Sequence, residues 1–322
     1  MPDAEVLRVV ELAGGVGGAK LAFGLQANLG DRLTVVVNTG DDLERHGLLV
    51  CPDHDTVMYT LAGIDNREWG WGIAGETFAA SEMLARLGEE TWFRLGDRDL
   101  ATHVVRTRRL REGERLTTVL LGLQAALGVR ARILPMADEP VRTAVRTDEG
   151  WLDFQTWFVR RHQEPEVGEI RFGGIEGARV TPEVAAAFDA ADAIVVAPSN
   201  PFVSVAPILA VPGMRDAIDA ARSRGVPVAA ISGIVGGRAI KGPADRMLAS
   251  LGGEASALGV ARRYQGWVDL FVLDVVDAAL EPAIRALGFR TLVTDTLMVD
   301  DQARTRLAGE VLGAVSAPRS GP

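Results

Sequence analysis

The chain has 322 residues, 48% of them hydrophobic and 24% charged, with a formal net charge of -9 at pH 7. That composition belongs to a globular protein rather than a disordered one, and at ~150 residues per domain the length predicts two domains or one large α/β unit with an insertion. The acidic balance argues against nonspecific binding to nucleic acid or anionic membranes, since both need a basic surface to displace counterions.

A single cysteine, Cys51, rules out an intrachain disulfide framework and fits a reducing compartment, so the cytoplasm is the expected location and Cys51 an expected core residue. Asp3, Glu5, Arg8 and Glu11 interrupt the N-terminal apolar residues, which predicts neither a secretory segment nor a membrane span.

In chain order, an apolar run ending at Leu12 meets the stretch Glu11 to Lys20, ELAGGVGGAK. It reads as strand, phosphate loop, and helix starting near Ala19. Gly14, Gly15, Gly17 and Gly18 let the backbone turn tightly and present N–H groups to an anion at the positive end of the helix. A turn for close strand-helix packing is the alternative. The loop is neither a dinucleotide fingerprint, which needs Gly or Ala where Lys20 stands, nor a Walker loop, because Ala19, Lys20 and Leu21 replace Gly-Lys-Ser/Thr.

Ala19 to Leu29 has helical spacing and Leu33 to Val37 reads as a buried strand. Strand-helix-strand at this length predicts a parallel pair whose ends, Leu12 and Val37, open on one edge, where ligands of open α/β sheets bind. Asn38, Asp41 and Asp42 follow that edge, then Asp53, His54 and Asp55. Carboxylates gathered beside a phosphate loop repel one another unless a cation intervenes, and Mg²⁺ is the usual one. For Asp55 the alternative is a helix N-cap, since Thr56, Val57, Met58 and Leu61 look like a helix start. His46 and His54 lack the spacing of a zinc site.

DNREWGWG, Asp65 to Gly72, reads as a loop in which Trp69 and Trp71 are structural anchors or a stacking surface for an aromatic substrate. Glu76 to Leu87 is a predicted helix. In GDRDLATH, Asp97, Arg98, Asp99 and His103 fall within two helical turns, with Asp99 and His103 on one face; they hold a polyol or a proton, or else cap and pair. Arg106, Arg108, Arg109 and Arg111 read as a solvated helix face.

Leu116 to Leu127 predicts an apolar helix and Val129 to Met136 a strand. Arg142 to Arg146 and Trp151 to Val159 read as antiparallel strands joined at Asp148, Glu149 and Gly150, and with Ile170 to Phe172 they predict a small accessory sheet. The parallel pattern resumes with helix Pro182 to Ala191 and strand Ala193 to Ala197, which ends in PSNP, where Ser199 and Asn200 present polar groups to the binding edge. Strand Val226 to Ser232 ends in GIVGGRAIKGP, a second glycine-rich loop with Arg238 and Lys241, read as further anion binding or as a flexible connection. Leu270 to Val275 and Thr291 to Thr294 are the last strands, a helix runs from Asp301 to about Leu312, and the tail SAPRSGP is expected to fray.

LAGGVGGAKLAFGL, VNTGDDLERHGLLVCPDHDTVMYTLAG, WFRLGDRDLATH, PSNPFVSVAPIL and ISGIVGGRAIKGPADRML resemble, in order and spacing, the 2-phospho-L-lactate transferases of coenzyme F420 biosynthesis, some bacterial members of which use a phosphoenolpyruvate-derived substrate. The resemblance implies a Rossmann-like three-layer α/β fold with a parallel sheet and an inserted helical and small antiparallel β region. Its organisation would be a nucleotide-binding core with a helical Fo-side segment at 1–128, an accessory β region at 129–180, and the rest of the core at 181–322.

It implies transfer of a phospholactyl or phosphoenolpyruvyl group from a guanosine diphosphate-linked donor to the terminal ribityl hydroxyl of the deazaflavin Fo, with release of GMP, in a homodimer. Asp42 and Asp55, with Asp41, would hold Mg²⁺, and Asp42, Asp55 and His103 would be catalytic. Gly14, Gly15, Val16, Gly17, Gly18 and Asn38 would face the diphosphate, and Asp97, Arg98, Asp99 and His103 the Fo side. Ser199 and Asn200 would meet the nucleotide or donor, and Lys241 phosphate charge. The competing expectation is a non-catalytic nucleotide-sugar-binding regulator of the gluconeogenesis-factor type, but such proteins carry a glycine- and serine-rich sequence where this chain has LERHGLLVCPDHD. A nicotinamide dehydrogenase is disfavoured by Lys20 and the extra carboxylates.

Overall fold

The computed structural model describes residues 7–317; the last five residues of the expected frayed tail, and Asp3 and Glu5, lie outside them. The strands are β1 (Val9–Ala13), β2 (Leu33–Val37), β3 (Leu43–Arg45), β4 (Leu48–Val50), β5 (Arg132–Pro135), β6 (Arg142–Thr147), β7 (Gly150–Asp153), β8 (Glu169–Gly173), β9 (Ala193–Val196), β10 (Val228–Ile231), β11 (Ile234–Val235), β12 (Arg238–Ala239), β13 (Leu270–Asp274) and β14 (Arg290–Thr294). Seven form one parallel sheet in the order β14-β13-β10-β9-β1-β2-β5. Strands buried on both faces read as continuous apolar runs, which is why VVELA and LTVVV were visible without the usual alternation.

Side chains alternate between two cores. Val10, Leu12 and Val36 enter one, while Val9, Ala13, Val35 and Val37 enter the other. The second core is closed by α1 (Gly15–Leu29), α2 (Pro52–Leu61) and the C-terminal helix Asp301–Ser316, so the molecule has three layers. α1 and the C-terminal helix approach closely at Gly24, where a Cβ would stand 2.1 Å from the Arg304 carbonyl oxygen.

Three further helices, α3 (Ala79–Arg86), α4 (Asp97–Arg111) and α5 (Leu116–Ala126), lie between β4 and β5. β7-β6-β8 make the small antiparallel sheet, and Val145, Phe154, Trp157 and Val167 join the first core. β5 pairs with β2 in the main sheet, so within 129–180 the accessory sheet itself begins only at Arg142.

The expected strand Trp151 to Val159 stops at Asp153; Thr156–Arg160 is a helical turn. Asp153 accounts for the break, since its carboxylate accepts from the Thr156 N–H at 2.9 Å and holds the chain in a turn. The second glycine-rich loop contains a hairpin. Gly236 and Gly237 have φ of 58° and 80° and turn the β11–β12 hairpin, a geometry that needs glycine for its own sake. Among the described residues no helix is long and apolar enough to cross a membrane.

Candidate active site

β1 and β2 end side by side, with Leu12 level with Val36 and Ala13 with Val37. α1 begins at Gly15, four residues before the expected Ala19, with Gly14 extended and Gly15 at φ 62°. The glycines divide their work. Only Gly15 requires the left-handed backbone; a Cβ on Gly14 would strike the Ser204 Cβ at 2.6 Å, and one on Gly17 the Pro198 carbonyl oxygen at 2.4 Å. Gly18 serves packing alone, facing Ala13 of β1, and takes no part in the cavity wall.

A cavity of about 490 Å³ opens at this edge. Gly14, Gly15, Val16 and Gly17 form one wall, Asp41, Asp53 and Asp55 the next, Asp99 and His103 a third. Trp71, Trp92, Phe93, Phe154 and Phe158 also line the cavity. Lys241 closes a rim by donating to the Trp69 carbonyl at 3.1 Å. Trp69 packs on Trp71 and Phe78 with ring centroids 5.3 and 5.7 Å away, which makes it the anchor, while Trp71 reaches the cavity.

Asp53, named in the sequence beside Asp55 but given no role there, lies beside the glycine turn. Asn38, fully buried and behind the wall, donates from Nδ2 to Asp53 Oδ2 at 3.0 Å and to the Val203 carbonyl at 3.2 Å, while its Oδ1 accepts from Gly40 N–H. Burial lifts the Asp53 pKa to about 6 against the bonds from Asn38 and the Gly15 backbone that favour its charged form. Burial, then the neighbouring Asp53, hold Asp41 well above the usual carboxylate range.

Asp42 is set back. Its carboxylate is not on the cavity wall; it lies beside the buried Cys51 thiol and the Arg142 guanidinium, with burial raising its pKa to about 7 against both. Of the expected metal set, Asp41 and Asp55 line the cavity and Asp42 does not. Among the described residues, the group of three whose ligand atoms lie within 4.8 Å is Asp55, Asp99 and His103.

Asp55 is no N-cap, because α2 starts at Pro52, a residue suited to the first helical position. Burial would raise its pKa, but the Arg106 guanidinium, His54 and His103 overrule it and hold the carboxyl below its ordinary value. Arg106, expected on a solvated face, is fully buried, donates to Asp55 Oδ1 from Nη2, and donates from Nη1 to His103 Nδ1 at 3.2 Å. An arginine only donates, so His103 Nδ1 must accept, and its proton sits on Nε2, 3.2 Å from Asp99 Oδ1. Tyr59 O–H donates to the same Asp99 oxygen at 2.7 Å. A sequence signal existed: Asp99, His103 and Arg106 are spaced i, i+4, i+7, one stripe of α4.

Asp97 and Arg98 turn away from the cavity. Asp97 accepts from the Ala79 and Ala80 N–H groups, each at 3.0 Å, and from Thr77, so it caps the neighbouring α3; Arg98 donates to the Ala74 carbonyl. Ser199 accepts from Gly14 N–H at 3.2 Å and donates to the Gly14 carbonyl at 2.8 Å, clamping the glycine turn. Asn200 accepts from Phe202 and Val203 N–H, capping the turn Pro201–Val205. Both line the cavity, with their bonding capacity largely spent on the fold.

The profile of the 2-phospho-L-lactate transferase CofD family matches residues 9–302. A phosphoenolpyruvate transferase of Streptomyces griseus is 45% identical over 95% of this chain and 98% of its own length. A 2-phospho-L-lactate transferase of Methanosarcina mazei is 39% identical over 95% of this chain and all of its own. Among solved structures, a UPF0052 family protein of Bacillus halodurans superimposes with a TM-score of 0.59 at 15% identity, covering 94% of this chain and 98% of the other, a likeness of fold alone. With matched residues reaching from the first strand of the sheet into the C-terminal helix, this chain belongs to the 2-phospho-L-lactate transferase CofD family.

Proposed function

We propose that this chain transfers a phospholactyl or phosphoenolpyruvyl group from a guanosine diphosphate-linked donor to the terminal ribityl hydroxyl of the deazaflavin Fo, releasing GMP, as a step of coenzyme F420 biosynthesis. The observation that carries the reading is the meeting of the Gly14–Gly17 turn with Asp41, Asp53 and Asp55 on one cavity that is also lined by aromatic rings. The hydroxyl oxygen forms a bond to the phosphorus bearing the three-carbon acid, the bond to the GMP oxygen breaks, and the hydroxyl proton is lost. Phosphoryl transfer of this kind rests on positioning and charge neutralisation.

Main-chain N–H groups of the glycine turn receive the diphosphate at the positive end of α1. Trp92, Phe93, Phe154 and Phe158 supply flat apolar surface for the deazaflavin ring. Asp99, held by the Tyr59 hydroxyl with His103 Nε2 3.2 Å away, would accept a hydrogen bond from the ribityl chain. Lys241 at the rim offsets phosphate charge.

Mg²⁺ suits the donor set. Asp41 Oδ1 and Asp55 Oδ2 are buried carboxylate oxygens without a hydrogen-bond partner, and hard oxygen donors of this type are what Mg²⁺ takes. Asp41 and Asp55 would hold the ion through these free oxygens, with Asp53 on the same cavity and Asp42 behind it on the Cys51 side; when bound it would neutralise charge on the phosphoryl oxygens. The reading extends to a cytoplasmic homodimer, in keeping with one buried cysteine.

The test is to incubate the purified protein with Fo, Mg²⁺ and each donor in turn and to weigh the product. A mass gain of one phospholactyl or phosphoenolpyruvyl group is expected, with one donor preferred; no adduct from either donor would sink the reading. Titrating Fo by its fluorescence separates the enzyme from a nucleotide-sugar-binding regulator, which has no use for a deazaflavin.

A further inference from the structure

Beside the main cavity lies a smaller polar chamber of about 220 Å³, which shares Val16, Thr56, Gly70, Trp71, Gly72 and Lys241 with it. Its remaining wall carries Lys20, Arg67 and Arg304 on the cationic side, the Thr60 side chain, and the carboxylates Asp65 and Glu68. Arg67 is committed: its Nη1 lies 3.0 Å from Asp301 and its Nε 3.9 Å from Asp65. Arg304 is 5% exposed, shares Asp301 at 3.1 Å, and keeps a buried Nε with no hydrogen-bond partner. Lys20 forms no ion pair or hydrogen bond among the described residues, although burial and then Arg304 and Lys241 disfavour its charge. Four cations crowded together repel unless anions lie between them; Asp301 is shared by Arg67 and Arg304, and of the two wall carboxylates Asp65 is spent on Arg67, which leaves the side facing Lys20 and Lys241 cationic.

We infer that this chamber binds a compact oxyanion of the donor, through Lys20, Arg304 and Lys241. Val16 and Lys20 lie on one face of α1 at i, i+4, so the chamber begins about one helical turn, ~5 Å, beyond the glycine turn. In a donor of the proposed class the carboxylate of the three-carbon acid is separated from the reacting phosphorus by one oxygen and one carbon, a distance of that order. A phosphate of the nucleotide is the other group with the same chemistry. The inference rests on the proposed reaction for the identity of the ligand, and on the chamber's own charges for its sign.

The experiment titrates 2-phospho-L-lactate and GDP separately into the wild type, Lys20→Met and Lys20→Arg by calorimetry, with Fo fluorescence titration as the check that each variant is folded. Loss of a charged hydrogen bond predicts affinity weakened about ten- to hundredfold in Lys20→Met. It is largely restored in Lys20→Arg, with Fo binding unchanged. Weakened 2-phospho-L-lactate with unaltered GDP identifies the carboxylate; weakened GDP identifies the nucleotide phosphate. Unaltered affinity for both, or no binding of either by the wild type, overturns the chamber. Turnover by the wild type is scored independently, so failure of the reaction and failure of the chamber give different results.

Discussion

Arg106 of α4 donates to Asp55 of α2 with both side chains closed off from solvent, and through its other nitrogen it fixes the ring of His103. The active-site carboxylate is thus held charged by a residue that forms no part of the cavity wall. Removing one partner of a buried ion pair strands the other, at a cost of about 3–5 kcal/mol. Arg106→Met is expected to lose that much stability in urea denaturation and nearly all turnover. Arg106→Lys is expected to fall short of rescue, because one ammonium cannot serve Asp55, His103 and the Leu49 carbonyl together. Wild-type stability in Arg106→Met would show that the pair contributes nothing net.

Asp53 and Asp42 make a contrasting pair. Asp53 faces the cavity beside Gly15; Asp42 stands behind it against Cys51. Asp53→Asn is expected to cut kcat at least about a hundredfold, while Asp42→Asn retains the greater part of it. Asn38→Ala, which frees Asp53 from its orienting bond, is expected to fall between them at about 10–100-fold in activity or Mg²⁺ affinity. Steady-state kinetics across a Mg²⁺ series checks the order, and Asp42→Asn proving the most damaging of the three would reverse it.

Legibility in the sequence followed the physics of each element. The parallel strands were visible because burial on both faces leaves an unbroken apolar run, and the accessory hairpin because Asp148, Glu149 and Gly150 mark its turn. Phe154 and Phe158 misled, since the apparent alternation continues past Asp153 while the backbone has already entered a helical turn. Asp53 was named without a role, since the linear sequence does not tell which first-turn carboxylate of a helix starting at Pro52 faces the glycine turn. Arg106 was hidden among surface arginines: Arg108, three-fifths exposed, pairs with Glu112 as the charge run suggested, while Arg106, one stripe round, is core. Which carboxylates share a cavity wall depends on long-range packing of α2 on α4, and no local pattern encodes it.

Gly17 separates a packing role from a binding role. A methyl group there would sit 2.4 Å from the Pro198 carbonyl, which belongs to rigid backbone. Gly17→Ala is expected to cost about 1–3 kcal/mol in thermal unfolding and to displace the Ser199 clamp on Gly14. The KM for the donor should rise with it while Fo affinity holds. Unchanged donor KM in a destabilised variant would confine Gly17 to packing.

Glu11 lies at the centre of β1, wholly buried, with neither carboxylate oxygen hydrogen-bonded. Its register partners on either side are Val35 and Val195, so it projects into the second core among apolar side chains. Burial raises its pKa well above the ordinary carboxylate value of 4.5. The unfolded chain ionises at the ordinary value, so above it the unfolded state binds fewer protons than the folded one. Stability from this group is therefore complete at low pH and lost as pH rises towards the folded pKa, by up to about 1.4 kcal/mol per pH unit. Glu11→Leu, which needs no proton, is expected to abolish that slope and to exceed the wild type by a margin that widens as pH rises through the range above the ordinary carboxylate value. Urea denaturation of both proteins across that range reads the difference directly; a constant gap between the two curves would mean that Glu11 does not titrate on unfolding there.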